Sequence, residues 1–168
     1  MEYNIKKIKL FLSCPSDVKE EIAVVESLIN EWNSLNSDQF KFVIQLITWK
    51  KNSYPQLGDR PQNIINKQIL NSSDIVVGIF WTRFGTPTGK YKSGTEEEIR
   101  EAILGNLQVM LYFSNTKVEI NKVNIEQYKK VKAFKNEFSK LGLICTYNSI
   151  TEFESSFRIH LNNVMLSF

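Results

Sequence analysis

Residues 92–103 read KSGTEEEIREAI and set three carboxylates, Glu96, Glu97 and Glu98, directly behind a Ser-Gly-Thr turn. Serine and threonine cap helices, and acids in a first turn meet the positive end of the helix dipole, so all three could simply start a helix. One of them could instead do chemistry on a ligand held by the preceding loop. That loop, Trp81 to Gly94 (WTRFGTPTGKYKSG), holds three glycines, three threonines, one serine, Arg83, Lys90 and Lys92, and no acid. Glycines let backbone N–H groups approach a ligand, hydroxyls donate, and cations beside a helix start favour an anion. The ligand this composition suits is one that bears phosphate; the other reading is an ordinary solvated loop with turn glycines.

Helical periodicity narrows the choice of carboxylate. At about 100° per residue, the apolar stripe of Ile99, Ala102 and Ile103 puts Glu97 on the opposite, solvent side, while Glu96 and Glu98 flank the stripe. Both stay open at this point, although Glu98 lies one turn before the small Ala102, which leaves room for its side chain.

The elements that must position these residues alternate as βαβαβαβαβα. Ile8 to Cys14 reads as a first strand, followed by a helix with Val18, Ile22, Val25, Ile29 and Trp32 on its apolar face. Phe40 to Trp49 reads as a second strand, KKNSYPQLGD as a polar loop, and Pro61 as the first position of a short helix. Asp74 to Trp81 is nearly all apolar, as a central strand of a parallel sheet must be. Val109 to Phe113, a helix marked by Tyr128 to Leu141, Leu143 to Tyr147 and a last helix through Phe153 to Phe168 complete one domain, 1–168. This order predicts an α/β flavodoxin-like three-layer sandwich with a five-stranded parallel sheet, order 2-1-3-4-5.

In such a sheet ligands bind at the carboxyl ends of the strands, near the switch in strand order. Three segments converge there: the turn Ser13-Cys14-Pro15-Ser16-Asp17, the loop Gly58 to Gln62, and the loop Trp81 to Gly94. The predicted substrate-binding residues are Ser13, Pro15, Asp17, Arg60, Gln62, Trp81, Arg83, Gly85, Thr86, Thr88, Ser93 and Thr95. Arg83 is the leading phosphate contact, because a guanidinium fork suits phosphate oxygens, and Trp81 and Phe84 offer rings either for stacking on a base or for packing at the strand end. Cys14 would need a base beside it to act as a nucleophile, and no histidine is near in sequence. His160 falls on the apolar face of the last helix and reads as structural. Lys129, Lys130, Lys132 and Lys135 read as a solvated face.

Composition excludes several classes. The net charge of +3 over 168 residues argues against a nucleic-acid partner. Two cysteines and one histidine supply neither a disulfide framework nor a multi-histidine metal site, so no metal is expected and the thiols read as reduced in a cytoplasmic protein. MEYNIKKIKLFLSC has too short an apolar run for a leader, and no segment of about 20 apolar residues could span a membrane.

FLSCPSD after the first strand, SDIVVGIF in the third, and GTEEEIREAI before a buried strand together resemble the nucleoside 2-deoxyribosyltransferase and TIR-like superfamily, more closely the TIR-like domains of bacterial antiviral defence proteins. In that superfamily a helix motif of Glu, Ile or Leu, two residues and Ala carries the catalytic glutamate. The resemblance therefore selects Glu98, from Glu98-Ile99-Arg100-Glu101-Ala102. It implies N-glycosidic cleavage, with the Glu98 carboxylate stabilising an oxocarbenium-like transition state or forming a glycosyl intermediate. Deoxyribosyltransferases carry an acidic base-recognition residue after the third strand, and this chain has none, so the implied substrate shifts from a free nucleoside to NAD or a nucleotide, with no separate cofactor. TIR domains carry a Trp-Cys pair where this chain has Thr95 and Glu96. The alternative the resemblance allows is a non-catalytic module that binds nucleotide or self-associates. It also implies a homo-oligomer or a larger defence assembly, in which Tyr54, Pro55 and Leu57 would meet a neighbour.

Overall fold

The structure is a computed structural model that describes residues 4–168. Met1 to Tyr3, the start of the segment weighed above as a leader, lie outside the described residues. Five parallel strands, β1 (Lys6–Ser13), β2 (Phe42–Ile47), β3 (Ile75–Phe80), β4 (Gln108–Ser114) and β5 (Cys145–Tyr147), form one sheet in the order 2-1-3-4-5. Helices α1 (Lys19–Phe40), α2 (Trp49–Asn52), α3 (Pro61–Gln68), α4 (Gly94–Leu104), α5 (Ile125–Ser139) and α6 (Ile150–Met165) connect and flank it. This is the α/β three-layer architecture the element order predicts. Among the described residues no helix is long and apolar enough to cross a membrane.

Strand alternation assigns the two faces. Ile8, Leu10, Leu12, Val77, Ile79 and Tyr112 pack with α1 and α6 through residues such as Val25, Trp32, Phe153 and Phe157. On the other face Phe80, Leu111 and Phe113 pack with Ile99 of α4 and with Val131, Phe134 and Phe138 of α5. All six residues of β3 are buried, because β1 and β4 flank it and helices cover both its faces.

Two residues expected in the second strand lie in helices instead. Phe40 ends α1 rather than opening β2: Lys41 takes a left-handed conformation (φ 60°) and donates its N–H to the Ser37 carbonyl, closing the helix. Phe40 is apolar for a different reason, since its ring meets those of Trp32 and Phe42, each at 5.8 Å. Trp49 starts the short α2, capped by the Thr48 side chain, where a strand end and loop were expected.

Gly78 sets how closely α4 approaches the sheet. It pairs with Ser13 on one side and Leu111 on the other, and a Cβ there would lie 2.7 Å from Leu111 Cδ2 and 2.8 Å from Ile99 Cδ1. Without that Cβ, Ile99 rests on the strand and its neighbour Glu98 reaches Ser13. Gly78→Val is expected to lift α4, costing about 1–3 kcal/mol by overpacking and lowering the thermal midpoint by roughly 3–10 °C in a melt. An unchanged midpoint would mean that α4 is not held this tightly.

Candidate active site

The three glutamates of α4 have three different fates. Ser93 caps the helix, its Oγ accepting the Glu96 N–H at 3.0 Å. The Glu96 carboxylate in turn accepts the Lys92 N–H and the Arg100 Nε–H, both at 2.9 Å, a close variant of the capping box. Glu96 therefore secures the helix start.

Glu97 does not face solvent as periodicity predicts; it is 1% exposed. Arg60 grips it with both guanidinium arms, Nη1 to Oε2 at 2.9 Å and Nη2 to Oε1 at 2.5 Å, while Thr88 Oγ1 donates at 2.6 Å and Asn66 Nδ2 at 3.3 Å. Burial pushes this carboxyl up, but the hydrogen bonds from Arg60 and Thr88 and the guanidinium charge outweigh it and hold the group below the usual carboxylate range. The expectation fails because α4 has two covered faces, one on the sheet and one under α3 and the loop after β3. An apolar stripe reports only the first.

Glu98 is 5% exposed and turned to the carboxyl end of β1. Ser13, the last residue of β1, donates its hydroxyl to Oε2, and Gln62 of α3 donates Nε2–H to Oε1 at 2.9 Å. Gly94 makes room for Gln62, since a Cβ there would lie 2.7 Å from Gln62 Oε1. Burial pushes the Glu98 carboxyl up to about 7; the Ser13 and Gln62 hydrogen bonds draw it back and the Glu97 charge adds to the rise. The result is a carboxyl poised between its two protonation states at neutral pH, between two neutral donors and at the end of the sheet where such folds bind ligands.

The loop after β3 is pinned rather than free. Asp17 Oδ2 accepts from Thr82 N at 2.9 Å, Thr82 Oγ1 at 2.8 Å and Arg83 N at 3.0 Å. Gln127 of α5 holds the next turn: Oε1 accepts from Phe84 N and Gly85 N at 2.8 and 2.9 Å, and Nε2 donates to the Gly85 carbonyl at 3.2 Å. Gly85 has φ +110°, a conformation that favours glycine. Phe84, expected as a stacking platform, is 1% exposed and packs among Phe80 and Phe134 at 5.7 and 5.4 Å between centroids.

Of the predicted site residues, Ser13, Gln62 and Glu98 come together directly. Arg60 and Thr88 join Glu97 next to them, and the Arg60 guanidinium also reaches the Thr88 carbonyl and Asn63. Ser93 serves as a cap, Pro15 and Thr95 are buried, and Asp17 and Gly85 hold the loop. Trp81 donates its indole N–H to the Thr116 carbonyl at 3.0 Å. Arg83 and Thr86 are exposed, and the Arg83 guanidinium donates to the Ser16 hydroxyl at 3.5 Å.

The thiol of Cys14 is pushed up to about 12 by burial and then by the Glu98, Asp17 and Glu21 charges, so it stays protonated. His160 Nδ1 lies 2.8 Å from the Tyr112 hydroxyl, in the structural role expected. Two residues escaped sequence reasoning. Gln127 is an unremarkable polar residue in a first helical turn, and Glu21 looks like a surface acid of α1 yet is buried, accepting the Tyr147 hydroxyl at 2.7 Å. Neither carries a local signal. Among the described residues no group of His, Cys, Asp and Glu could hold a metal ion.

No curated protein matches the chain. Among solved structures it is similar to a conserved protein from Enterococcus faecalis V583, at 11% identity over 90% of this chain and 99% of that one, with a TM-score of 0.47. It is also similar to an azoreductase from Bacillus anthracis str. Sterne, at 11% identity over 96% and 100% of the two chains and a TM-score of 0.44. A third likeness is to S. aureus homoserine dehydrogenase, at 15% identity over 87% of this chain and 33% of that one, with a TM-score of 0.39. The family model described as Domain of unknown function (DUF4062) matches residues 9–162, from within β1 to within α6, and the chain belongs to that family.

Proposed function

We propose that this chain is an N-glycosyl hydrolase that releases the base from NAD or another nucleotide, as the TIR-like and deoxyribosyltransferase-like resemblance implies, in bacterial defence or signalling. The observation that supports this reading most is the buried Glu98 carboxyl, held between Ser13 and Gln62 at the carboxyl end of β1. In the proposed step the bond from the ribose anomeric carbon to the base nitrogen breaks, and its electron pair leaves with the base. The Glu98 carboxylate stabilises the positive charge left on the sugar, and water then adds there and gives up a proton. Among the described residues the hydrogen-bond partners of Glu98 are the neutral Ser13 and Gln62 and include no second acid to protonate a leaving group. A base bonded as a cation, as in a pyridinium nucleotide, leaves as a neutral molecule and needs no such proton. Asp17 Oδ1, a buried acceptor without a hydrogen-bond partner among the described residues, offers a position for a sugar hydroxyl.

The test is to incubate the protein with NAD, nucleotides and nucleosides and to measure released base by chromatography. Because the carboxylate is the working form and the group titrates near 7, release should rise about tenfold from pH 6 to pH 8 and then level off. A flat profile over that range would remove Glu98 ionisation from the step. The second reading, a non-catalytic self-associating module, draws on Tyr54 and Leu57, which are 63% and 96% exposed between α2 and α3. It predicts no base from any substrate and a mass that grows with concentration.

A further inference from the structure

A depression of about 220 Å³ runs between the flank of α5 and the carboxyl end of β4. Trp81, Phe113, Asn115, Tyr128, Lys132 and Lys135 form most of it, and no carboxylate lines it. Lys132 and Lys135 stand one turn apart, and among the described residues neither has a carboxylate within ion-pair reach, whereas the neighbouring Lys129 pairs with Glu126 at 3.4 Å. The Lys135 ammonium donates to Asn115 Oδ1 at 3.4 Å, and Lys132 Nζ lies 5.1 Å from the centre of the Tyr128 ring. Both ammonium groups keep donors to spare for an anion.

Register locates this depression relative to Glu98. Ser13 is level with Gly78, Gly78 with Leu111, and Phe113 lies two residues further along β4 on the same sheet face. With strands about 4.8 Å apart and about 3.3 Å per residue, its floor begins roughly 12 Å from Ser13. The depression is therefore separate from the Glu98 carboxyl and opens at the same end of the sheet.

We infer that it binds one mononucleotide unit, with the base against the Trp81 and Tyr128 aromatic surfaces and the phosphate on Lys132 and Lys135. Aromatic rings accept any base by its π-face, two ammonium groups without a carboxylate partner select an anion, and the depression leaves no room for a second nucleotide. The inference goes beyond the N-glycosidase reading and does not depend on turnover at Glu98. Where that reading holds, the depression receives the end of a dinucleotide remote from the bond that breaks.

Titration calorimetry of the full chain with AMP and with adenosine tests it. AMP binds, and adenosine binds at least about tenfold more weakly because it lacks the phosphate. Lys132→Ala and Lys135→Ala each weaken AMP by about fivefold, as the loss of one solvent-exposed charge pair does, and the double variant weakens it by about 25-fold. Glu98→Gln binds AMP as the wild type does, which separates this site from the one proposed to cleave. Absence of AMP binding, equal affinity for adenosine, or full affinity in the double lysine variant would overturn the inference. So would loss of AMP binding in Glu98→Gln, because that result puts the nucleotide at Glu98 instead.

Discussion

Glu98→Gln is expected to lower base release by about a thousandfold, equivalent to roughly 4 kcal/mol of transition-state stabilisation, while leaving the fold intact. Glutamine keeps the shape of the side chain and the oxygen that accepts from Gln62, removes the charge, and turns its NH2 toward the Ser13 hydroxyl, which can accept in place of donating. Quantifying released base at saturating substrate checks it, and release that survives the substitution would take the catalytic role from Glu98. The same variant has a second readout that needs no turnover. The Glu98 carboxyl stands at about 7 in the folded protein against an ordinary value of 4.5, so between these pH values the folded state holds a proton that the unfolded chain has released. Wild-type stability should accordingly fall as pH rises from about 4.5 to about 7, and Glu98→Gln should lose that part of the slope. Denaturation curves at several pH values separate the electrostatic setting of Glu98 from its chemistry: a lost slope with unchanged base release would keep the buried acid and discard the mechanism.

Phe84→Ala is expected to destabilise the protein by about 3–4 kcal/mol, a large effect for a loop residue. Phe84 sits in the cluster of Phe80, Phe113 and Phe134, whose centroids lie 5.1–5.5 Å from one another in the pairs Phe80–Phe134 and Phe80–Phe113. Truncation leaves a cavity under the loop and removes the apolar anchor that works beside Asp17 and Gln127. Chemical denaturation gives the magnitude, and amide exchange at Thr82 to Gly89 should speed up selectively. A change below about 1 kcal/mol would mean that the ring is only loosely held, and the platform reading of Phe84 would return.

Much of the architecture is legible in single stretches of sequence. DIVVGIFW reads as a strand covered on both faces, and the spacings Val25, Ile29, Trp32 and Phe153, Phe157, Leu161 mark the two helices that share the α1/α6 layer. The βα alternation then leaves a parallel sheet as the arrangement that buries those runs. Ser93 as a cap and a glutamate one turn before Ala102 were likewise readable, because caps and apolar stripes are properties of a few adjacent residues.

What separated the three glutamates was not local. Glu97 and Glu98 are neighbours on one helix with the same chemistry, yet one is held below the usual range by Arg60 and the other is raised to about 7. Their partners lie 37 residues away in Arg60, 36 in Gln62 and 85 in Ser13. The loop that composition suggested as an open anion cradle is pinned by Asp17 and Gln127, 65 and 43 residues from the groups they hold. The sequence by itself determined which residues could form strands, helices and caps, since these follow from backbone preference and from the period of apolar side chains. Only the tertiary structure decided which carboxylate is paired, which is desolvated and which merely caps, because a carboxyl's charge depends on the dielectric and the donors that distant segments bring within about 4 Å of it.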